Sequence, residues 1–473
     1  MDTKKLRQKI LDLAIHGKLV PQDPNDESAS VLLERIRTEK ERLIKEEKIK
    51  RSRKSAKTSD TPHYEQDMPF EVPKGWVWTT LEEITSKIGS GSTPKGSNYS
   101  EEGIPFFRSQ NVYNEGLVYE DIKFISDATH QLMIGTEVHS KDLLLNITGG
   151  SLGRCAIVPA DFQIGNVSQH VCIIRSILVL SSYVHTFILS PFFKKTMNIT
   201  GSGREGLPKY NLEKMFLPIP PLKEQERIIK EIEHWFTFID TIEQSKVNLQ
   251  TAIKQTKSKI LDLAIHGKLV PQDPSDEPAL ELLKRINPKA QITCDNEHSR
   301  KLPYNWSCIS HNSIIELSGG SQPPKRKFIS KPTKGYIRLF QIRDYGKNPL
   351  PVYIPNVDAV KQTHKGDILL ARYGGSLGKV FIAENGAYNV AMTKVIFKQP
   401  QLIDKMFAFF YYHSRVYQDK LKEISRTAQA GFNSGDFEDL YFPLPPLAEQ
   451  KRIVRKIEDL FTLINIIEME LAE

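Results

Sequence analysis

KILDLAIHGKLVPQDP occupies residues 9–24, and the same sixteen letters recur at residues 259–274. A second repeat begins at Pro220 (PPLKEQERIIKEIEHWFTFID) and again at Pro445 (PPLAEQKRIVRKIEDLFTLIN). Sixteen consecutive identities do not arise by chance, so the chain contains one structural unit written twice.

The two repeats have different offsets, 250 residues for the first and 225 for the second. The central copy, from Pro220 to Ile286, is continuous, whereas the other copy is divided between the two ends of the chain. Glu473 corresponds to Asn248 and Met1 to Thr251, so the divided copy is interrupted within a helix. This order predicts a circular arrangement of two units with pseudo-two-fold symmetry.

Apolar residues recur at spacings of three and four through both copies, which is typical of a coiled-coil seam. Pro220-Pro221 and Glu224 suit a helix start, and Gly267 followed by Pro271 suits a helix end. We predict two long antiparallel helices, with the N-terminal helix extending the arm of the C-terminal one; the alternative is that each helix packs only on its own domain. The predicted seam residues are Ile228, Ile232, Trp235, Ile239, Ile242, Leu249, Ile253, Ile260, Ile453, Ile457, Leu460, Ile464, Ile467 and Leu471.

Two stretches of similar size lie between the helical parts, and each opens with a tryptophan after a polar turn, Trp76 and Trp306. Each continues with a Gly/Ser/Pro/Lys loop and later carries the letters GGSLG between β-prone runs, which indicates a tight turn. We predict α+β domains with curved mixed sheets. The predicted boundaries are 1–36 for an N-terminal helical segment, 37–68 for a charged helix or linker, 69–219 for the first domain, 220–286 for the central helix, 287–301 for a linker, 302–444 for the second domain and 445–473 for the C-terminal helix.

Composition limits the function classes. The 473 residues carry a formal net charge of +8, which fits a polyanionic partner or simply a solvated basic surface. The four cysteines form no C-x-x-C pair, so neither a zinc site nor a disulfide framework is expected, as in a reducing cytoplasm. No apolar run approaches the length of a membrane span.

Catalytic motifs are missing from the sequence. GGSLGKV (374–380) lacks the Walker pattern, because Tyr373 stands at the first glycine position and Val380 follows the lysine. Glu449-Gln450-Lys451 resembles a nuclease Glu-x-Lys, but the sister copy reads Glu-Gln-Glu, so helix-terminal charge explains it better. No Asn-Pro-Pro-aromatic methyltransferase loop is present. We therefore expect no catalytic residue and no metal site in this chain.

Two related but diverged domains on a repeated helical scaffold favour a reader of two different half-sites, as on DNA. The twin KILDLAIHGKLVPQDP segments, the motifs at 220–227 and 445–452 and the two GGSLG turns together resemble the specificity subunit of a type I restriction–modification enzyme. The resemblance covers nearly the whole chain. It implies two target-recognition domains and no catalysis by the chain itself.

The resemblance also implies the partners. Two modification subunits binding S-adenosylmethionine would dock around the helices and methylate adenines in split double-stranded DNA, and restriction subunits would supply ATP- and Mg-dependent translocation and cleavage. The chain itself is expected to bind no cofactor and no membrane, and to be cytoplasmic. An orphan two-headed DNA-binding scaffold without a methylase is the alternative; a self-contained nuclease or methyltransferase is disfavoured by the missing motifs.

Polar and basic residues in the loops of both domains are the candidate DNA contacts, since such side chains bind phosphates and base edges; a solvated or structural role is the alternative for each. In the first domain they are Lys95, Arg108, Gln110, Asn111, Ser151, Arg154, Arg204 and Lys209. In the second they are Lys325, Arg326, Arg338, Gln341, Arg343, Arg372, Tyr373, Ser376, Lys379 and Asn433.

Overall fold

The computed structural model describes residues 2–50, 68–94, 96, 99–197, 199, 206–288, 302–425 and 431–472. The chain forms two compact units, Met1–Ser245 and Lys246–Glu473. Each unit contains a lead helix, a second helix that follows it, a globular head, and a long helix that leaves the head. We call the heads head 1 (between residues 69 and 219) and head 2 (between residues 302 and 444).

Helices of the first unit are α1 (Thr3–Ile15), α2 (Ala29–Lys45), α3 (Asp127–Leu132), α4 (Ser181–Leu189), α5 (Pro191–Thr196), α6 (Lys209–Glu213) and the first part of α7 (Leu222–Ile265), which continues into the second unit. Its strands are β1 (Val77–Thr80), β2 (Thr85–Ser90), β3 (Ile104–Phe107), β4 (Val112–Tyr113), β5 (Gly116–Leu117), β6 (Lys123–Ile125), β7 (Glu137–Val138), β8 (Leu143–Asn146), β9 (Cys155–Ile157), β10 (Gly165–Val167), β11 (Val171–Ser176) and β12 (Phe216–Ile219).

Helices of the second unit, after the end of α7, are α8 (Ala279–Ile286), α9 (His311–Ile314), α10 (Lys405–His413), α11 (Arg415–Ser425) and α12 (Leu447–Ala472). Its strands are β13 (Ser307–Ser310), β14 (Ile315–Gly319), β15 (Tyr336–Phe340), β16 (Tyr353–Pro355), β17 (Gln362–Thr363), β18 (Ile368–Ala371), β19 (Val380–Ile382), β20 (Gly386–Tyr388), β21 (Met392–Phe397) and β22 (Tyr441–Leu444).

The heads share one sheet topology. Head 1 has four-stranded sheets of order β6-β3-β10-β7 and β2-β11-β8-β9, and head 2 has the corresponding orders β16-β15-β20-β17 and β14-β21-β18-β19. In each head one pair is parallel, β3 with β10 and β15 with β20, while the other pairs are antiparallel. The prediction of α+β heads with mixed sheets is confirmed.

A two-stranded ribbon closes each head and leads into its long helix. β1 pairs antiparallel with β12, and β13 pairs with β22 in the same way. Each second strand ends at a Pro-Pro pair, which keeps the preceding backbone extended before the helix begins. The start of each long helix is therefore fixed to both ends of its head.

In the first unit, α1 lies antiparallel to the first part of α7. The guanidinium of Arg7, near the start of α1, donates to Asp240 Oδ1 at 2.5 Å and stacks over the Phe236 ring. Gln22, which follows α1, donates instead to Glu224 at the start of α7. Contacts that run in opposite directions along the two helices require the antiparallel orientation.

In the second unit, the end of α7 pairs antiparallel with α12. Lys257 Nζ donates to Asn465 Oδ1 at 2.9 Å and to Glu468 Oε2 at 2.7 Å. Gln272, beyond the end of α7, donates to Glu449 near the start of α12. The antiparallel helix pairs predicted from the heptads are therefore present within each unit.

The predicted seam is buried in part. Ile228 and Ile239 on α7 and Ile453 and Ile457 on α12 are 0% exposed, and each of these helices also packs into the core of a head. The prediction is wrong for three residues, because their side chains remain largely in solvent. These are Trp235, Leu249 and Ile467, which are 38%, 41% and 44% exposed. Of the other predicted seam residues, Ile232, Ile253 and Ile260 are buried, and Ile242, Leu460, Ile464 and Leu471 are half-buried.

Equivalent polar clusters connect the lead segment to the long helix in both units. Clasp 1 comprises Gln22, Asp26, Glu224 and Arg227, and clasp 2 comprises Gln272, Asp276, Glu449 and Arg452. The arginine binds the aspartate at 2.6 Å in both clasps, and the glutamine amide donates to the glutamate at 3.1 Å in clasp 1 and 2.6 Å in clasp 2. Both glutamates are buried, so the nuclease-like Glu-Gln pair is a structural joint.

The neighbouring glutamines attach the head to the same joint. Gln225 accepts from Leu180 N at 3.1 Å, and Gln450 accepts from Asp404 N at 2.7 Å. Their side-chain amides donate to the carbonyls of Pro220 and Pro445, both at 3.0 Å. Each Pro-Pro-Leu-x-Glu-Gln motif therefore holds lead segment, head and long helix together.

A glycine ends each lead helix where no other residue fits. Gly267 has φ +67°, and a Cβ there would lie 2.3 Å from Pro303 Cγ; Gly17 has φ +65°, and a Cβ would lie 2.4 Å from Pro73 Cγ. Both the left-handed backbone and the contact exclude a side chain. The prediction that Gly267 ends the helix is thus explained by head-to-helix packing.

One expectation is wrong, and another concerns residues that lie partly outside the described part of the chain. Cys308 is disulfide-bonded, so the expectation of no disulfide is wrong, whereas Cys155 and Cys172 are free and buried. The predicted charged segment, residues 37–68, begins within α2, whose last residue is Lys45. Residues 51–67 lie outside the described part. Among the described residues, no helix has the length and apolar character needed to cross a membrane.

The geometry of clasp 2 predicts that the destabilisation caused by Glu449→Gln depends on pH. Burial raises the pKa of Glu449, against the lowering effect of the hydrogen bonds from Trp306 and Gln272. The folded state therefore binds this proton more tightly than the unfolded chain, so the glutamate's contribution to stability falls as the pH rises through about 4.5 toward the folded pKa. Since glutamine does not titrate, the destabilisation caused by Glu449→Gln should be larger at pH 4 than at pH 7.

Urea unfolding of wild type and variant at the two pH values measures this difference. Glu458→Gln, at an exposed position on the same helix, is the matched control and should show no such trend. Equal destabilisation by Glu449→Gln at both pH values contradicts the account.

Candidate nucleic-acid interface

The carboxyl ends of two parallel strands meet at one edge of head 1. β3 and β10 run side by side, with Val167 opposite Phe107, and a polar loop follows each strand. The backbone of Ser168 donates to Phe107 O at 2.9 Å, which joins the two loops where they begin. This edge therefore gathers loops that are far apart in the sequence.

Hydrogen bonds bring the GGSLG turn to the same edge. The Asn146 amide donates to Ser109 O at 2.8 Å, and the backbone of Ile147 donates to His170 O at 3.0 Å. Leu207 N donates to Ile147 O at 2.8 Å and adds the loop before α6. We define loop face 1 as residues 90–92, 108–114, 146–154, 168–170 and 206–209.

Head 2 builds the same surface. Asn389 N donates to Phe340 O at 3.1 Å, and Arg372 N donates to Ala391 O at 2.9 Å. An isolated bridge between Tyr373 and Gly431 adds the last loop, as Thr148 and Gly206 do in head 1. We define loop face 2 as residues 319–327, 341–346, 371–379, 389–391 and 431–434.

A glycine in the Gly/Ser loop allows each face to close. A Cβ on Gly91 would lie 1.9 Å from Val167 O, and one on Gly320 would lie 2.0 Å from Asn389 O. These are backbone atoms at the end of β10 and just after β20, which cannot move aside as a flexible side chain could. The glycines therefore explain why the Gly/Ser loops occur at this point in both heads.

The two GGSLG segments adopt the same turn at an exposed position. Gly149–Ser151 and Gly374–Ser376 form 3-10 turns, closed by Leu152 N and Leu377 N at 3.0 Å from the first glycine's carbonyl. Ser151 and Ser376 are half-buried. Identical turns on otherwise diverged faces present the same backbone in both heads.

Several basic side chains of face 1 already contact other residues of the protein. The Arg154 guanidinium lies 4.8 Å from the centre of the Tyr113 ring, and Arg108 donates to Asp121 O at 2.8 Å. Gln110 is exposed, and Lys209 forms an i,i+4 ion pair with Glu213 at 3.3 Å. Lys95 and Arg204 lie outside the described residues.

Asn111 is fully buried and unsuited to contact DNA. Its amide donates to the carbonyls of Val118 and Glu120 at 3.0 and 3.2 Å, and its oxygen accepts from Arg108 N at 3.1 Å. These bonds use its side chain to shape the loop after β3. The structure therefore does not support Asn111 as a DNA contact; its side chain holds the backbone of Arg108 to the loop after β5.

Face 2 has more basic side chains that lack an internal partner among the described residues. The guanidinium of Arg343 is exposed and, within the described residues, makes no hydrogen bond or ion pair; the same holds for Arg326. Lys325 and Lys379 are also exposed, and Gln341 is half-buried. In contrast, Arg338 lies within 3.3 Å of Asp344 and stacks over Phe340.

The heads differ beside the GGSLG turn. In head 1 a shallow pocket of about 250 Å³ opens next to Thr148 and Lys209. In head 2 Arg372, at the position equivalent to Ile147, donates to Phe432 O at 2.8 Å and to Asn433 Oδ1 at 2.5 Å. Tyr373 beside it is 40% exposed. The shared scaffold thus supports two chemically different surfaces.

The turn between β10 and β11 was missed by sequence reasoning. Gln169 and His170 are exposed in this turn, which begins with Ser168 after β10 and ends where Val171 starts β11. Val390, 39% exposed, is the equivalent of Gln169 in head 2. The sequence offers no local motif here; only strand pairing brings these residues to the face. No group of three or more metal-ligating side chains occurs within the described residues.

Comparison with known proteins identifies the family. The family model "Type I restriction modification DNA specificity domain" matches residues 73–253 and 303–473. The chain is 28% identical to the Escherichia coli type I restriction enzyme EcoAI specificity subunit and 26% identical to the EcoEI subunit; each match covers 98% of this chain and 89% of the relative.

Solved structures show the same fold. A chain from work on complex assembly and conformational transition of the type I R-M system aligns with TM-score 0.60 at 18% identity, over 85% of this chain and 94% of that one. The HsdS subunit from Thermoanaerobacter tengcongensis aligns with TM-score 0.53 at 18% identity, over 86% and 94%. The chain therefore belongs to the type I restriction–modification DNA specificity family, whose members are non-catalytic subunits.

Proposed function

We propose that this specificity subunit reads a bipartite double-stranded DNA site, with face 1 on one half and face 2 on the other. The observation that carries the proposal is the pair of loop faces, built by equivalent hydrogen bonds but lined by different side chains. Phosphate contacts tolerate repetition, whereas base contacts must differ when the two half-sites differ. The repeated GGSLG turns suit the first role and the diverged loops the second.

The contacts we propose are the accessible candidates. In head 1 they are Gln110, Ser151, Arg154, Lys209 and Arg108, with Lys95 and Arg204 retained as sequence-based candidates; in head 2 they are Lys325, Arg326, Arg338, Gln341, Arg343, Arg372, Tyr373, Ser376, Lys379 and Asn433. Arg343 is the strongest of them, because no internal partner has to be given up before it binds a base or phosphate.

We also propose that two modification subunits dock along the long helices and that restriction subunits join the same complex. Large apolar side chains remain exposed there: Phe238 is 52% exposed in the first unit, and Leu463 and Met469 are 60% and 69% exposed in the second. Large exposed apolar side chains on these helices favour a protein partner. An orphan scaffold would need no such surface, and co-purification with methylase subunits separates the two functions.

Arg343→Ala should weaken DNA binding by about 1–3 kcal/mol if the guanidinium reads a base, with relaxed preference at one position of one half-site. Lys334→Ala is the matched control, since Lys334 is also exposed and cationic but precedes β15, at the opposite end of the strand that leads to face 2. Titration of the full chain with duplexes carrying the site and its single-base variants measures both. Equal effects of the two substitutions would remove Arg343 from the interface.

Methylation mapping of cells with and without the chain tests the function itself. Deletion of the chain should abolish adenine methylation at one split motif and leave other motifs unchanged. Persistence of every methylated motif would contradict the proposal, and a stable chain without any methylase partner would favour the orphan scaffold.

A further inference from the structure

We propose that the turn after β10 or β20 determines one base pair in each half-site: Gln169 reads an adenine in the half bound by head 1, and Val390 contacts a thymine methyl group in the half bound by head 2. This inference rests on the proposed DNA-reading function and deepens it. It concerns residues outside the sequence-based candidate set.

The turn occupies a central position among the loops of each face. In each head the turn follows the parallel central strand and is joined to two neighbouring loops by backbone bonds, Ser168 N to Phe107 O and Ile147 N to His170 O in head 1. The turn thus lies between the loop after β3 and the GGSLG turn. A duplex that contacts both of those loops must pass over it.

The neighbouring side chains orient the Gln169 amide. Its Nε2 lies 3.4 Å from His170 Nε2, and His170 Nδ1 lies 2.8 Å from Thr148 Oγ1. One amide hydrogen can therefore be directed to the imidazole, while the other hydrogen and Oε1 remain available. A glutamine amide with one free donor and one free acceptor matches N7 and N6 of adenine in the major groove. His170 and Thr148 act as positioning residues.

The equivalent turn of head 2 has different chemistry. Asn389 N bonds Phe340 O as Ser168 N bonds Phe107 O, so the two turns have the same register. Val390 replaces the glutamine and Ala391 replaces the histidine, and both present only apolar atoms beyond the backbone. An exposed valine at a base-reading position fits the C5-methyl group of thymine, the one apolar feature of the major-groove edge.

Base substitution in the DNA distinguishes this inference from a structural role. The full chain, in complex with its modification subunits, is titrated with duplexes in which each position of the methylated motif is varied. Gln169→Ala should lower discrimination at one A·T pair of one half-site by about tenfold. Gln169→Glu, which is isosteric and cannot donate to N7, should instead favour a C·G pair at that position, because a carboxylate accepts from cytosine N4.

Gln163→Ala is the matched control for head 1, since Gln163 is exposed at the opposite end of β10 and should leave the motif unchanged. For head 2, replacing one thymine by deoxyuridine should weaken wild-type binding about fourfold, the effect of one buried methyl group, and should have no effect on Val390→Ala. Val357→Ala, at an 88% exposed position, should respond to deoxyuridine like wild type.

The outcomes distinguish a failure of the proposed DNA-reading function from a failure of the roles proposed for Gln169 and Val390. If the wild-type complex shows no split motif, the proposed function fails and this inference fails with it. If the wild-type motif is present but Gln169→Ala and Gln169→Glu leave every base preference unchanged, the inference alone is overturned. A loss of affinity that is uniform over all sequences, without a change in preference at one pair, also overturns it.

Discussion

The buried carboxylate at the start of each long helix is the interaction on which the rest of the structure depends. Glu449 accepts hydrogen bonds from Gln272 and from the Trp306 indole at 2.6 and 2.9 Å, and so joins the lead segment, the head and α12 at one point. An unsatisfied buried carboxylate is costly, so the three pieces are stable only when they meet in this geometry. Glu224 occupies the equivalent position in the first unit, where it accepts from Gln22.

This joint explains the pattern of repetition and divergence. Residues that form the clasps, the helix-ending glycines and the GGSLG turns recur because they fix how a head is held and how its loops gather. Residues at the loop tips do not recur, because backbone hydrogen bonds hold the loops whatever side chains they carry. A head can therefore change the side chains that it exposes, as Gln169 and Val390 at equivalent positions illustrate, without a change in the joint.

Sequence reasoning reached the parts of the fold that depend on local spacing. The heptads predicted the helices, and Gly267 predicted a helix end, since periodicity and backbone conformation are local properties. It failed where pairing at long range decides the outcome. Asn111 was predicted as a base contact but is buried by the loop that it shapes, and Trp235 was predicted as a seam residue but is 38% exposed. Cys308 is bonded although no short cysteine spacing indicated it.

We propose that each head specifies one half-site and that the repeated joint specifies none. The most direct measurement is methylation mapping of cells whose only copy of the chain has residues 69–219 replaced by residues 302–444, so that both joints hold head 2. The account predicts that methylation moves to a motif containing two copies of the half-site read by head 2. Continued methylation of the original split motif would contradict it.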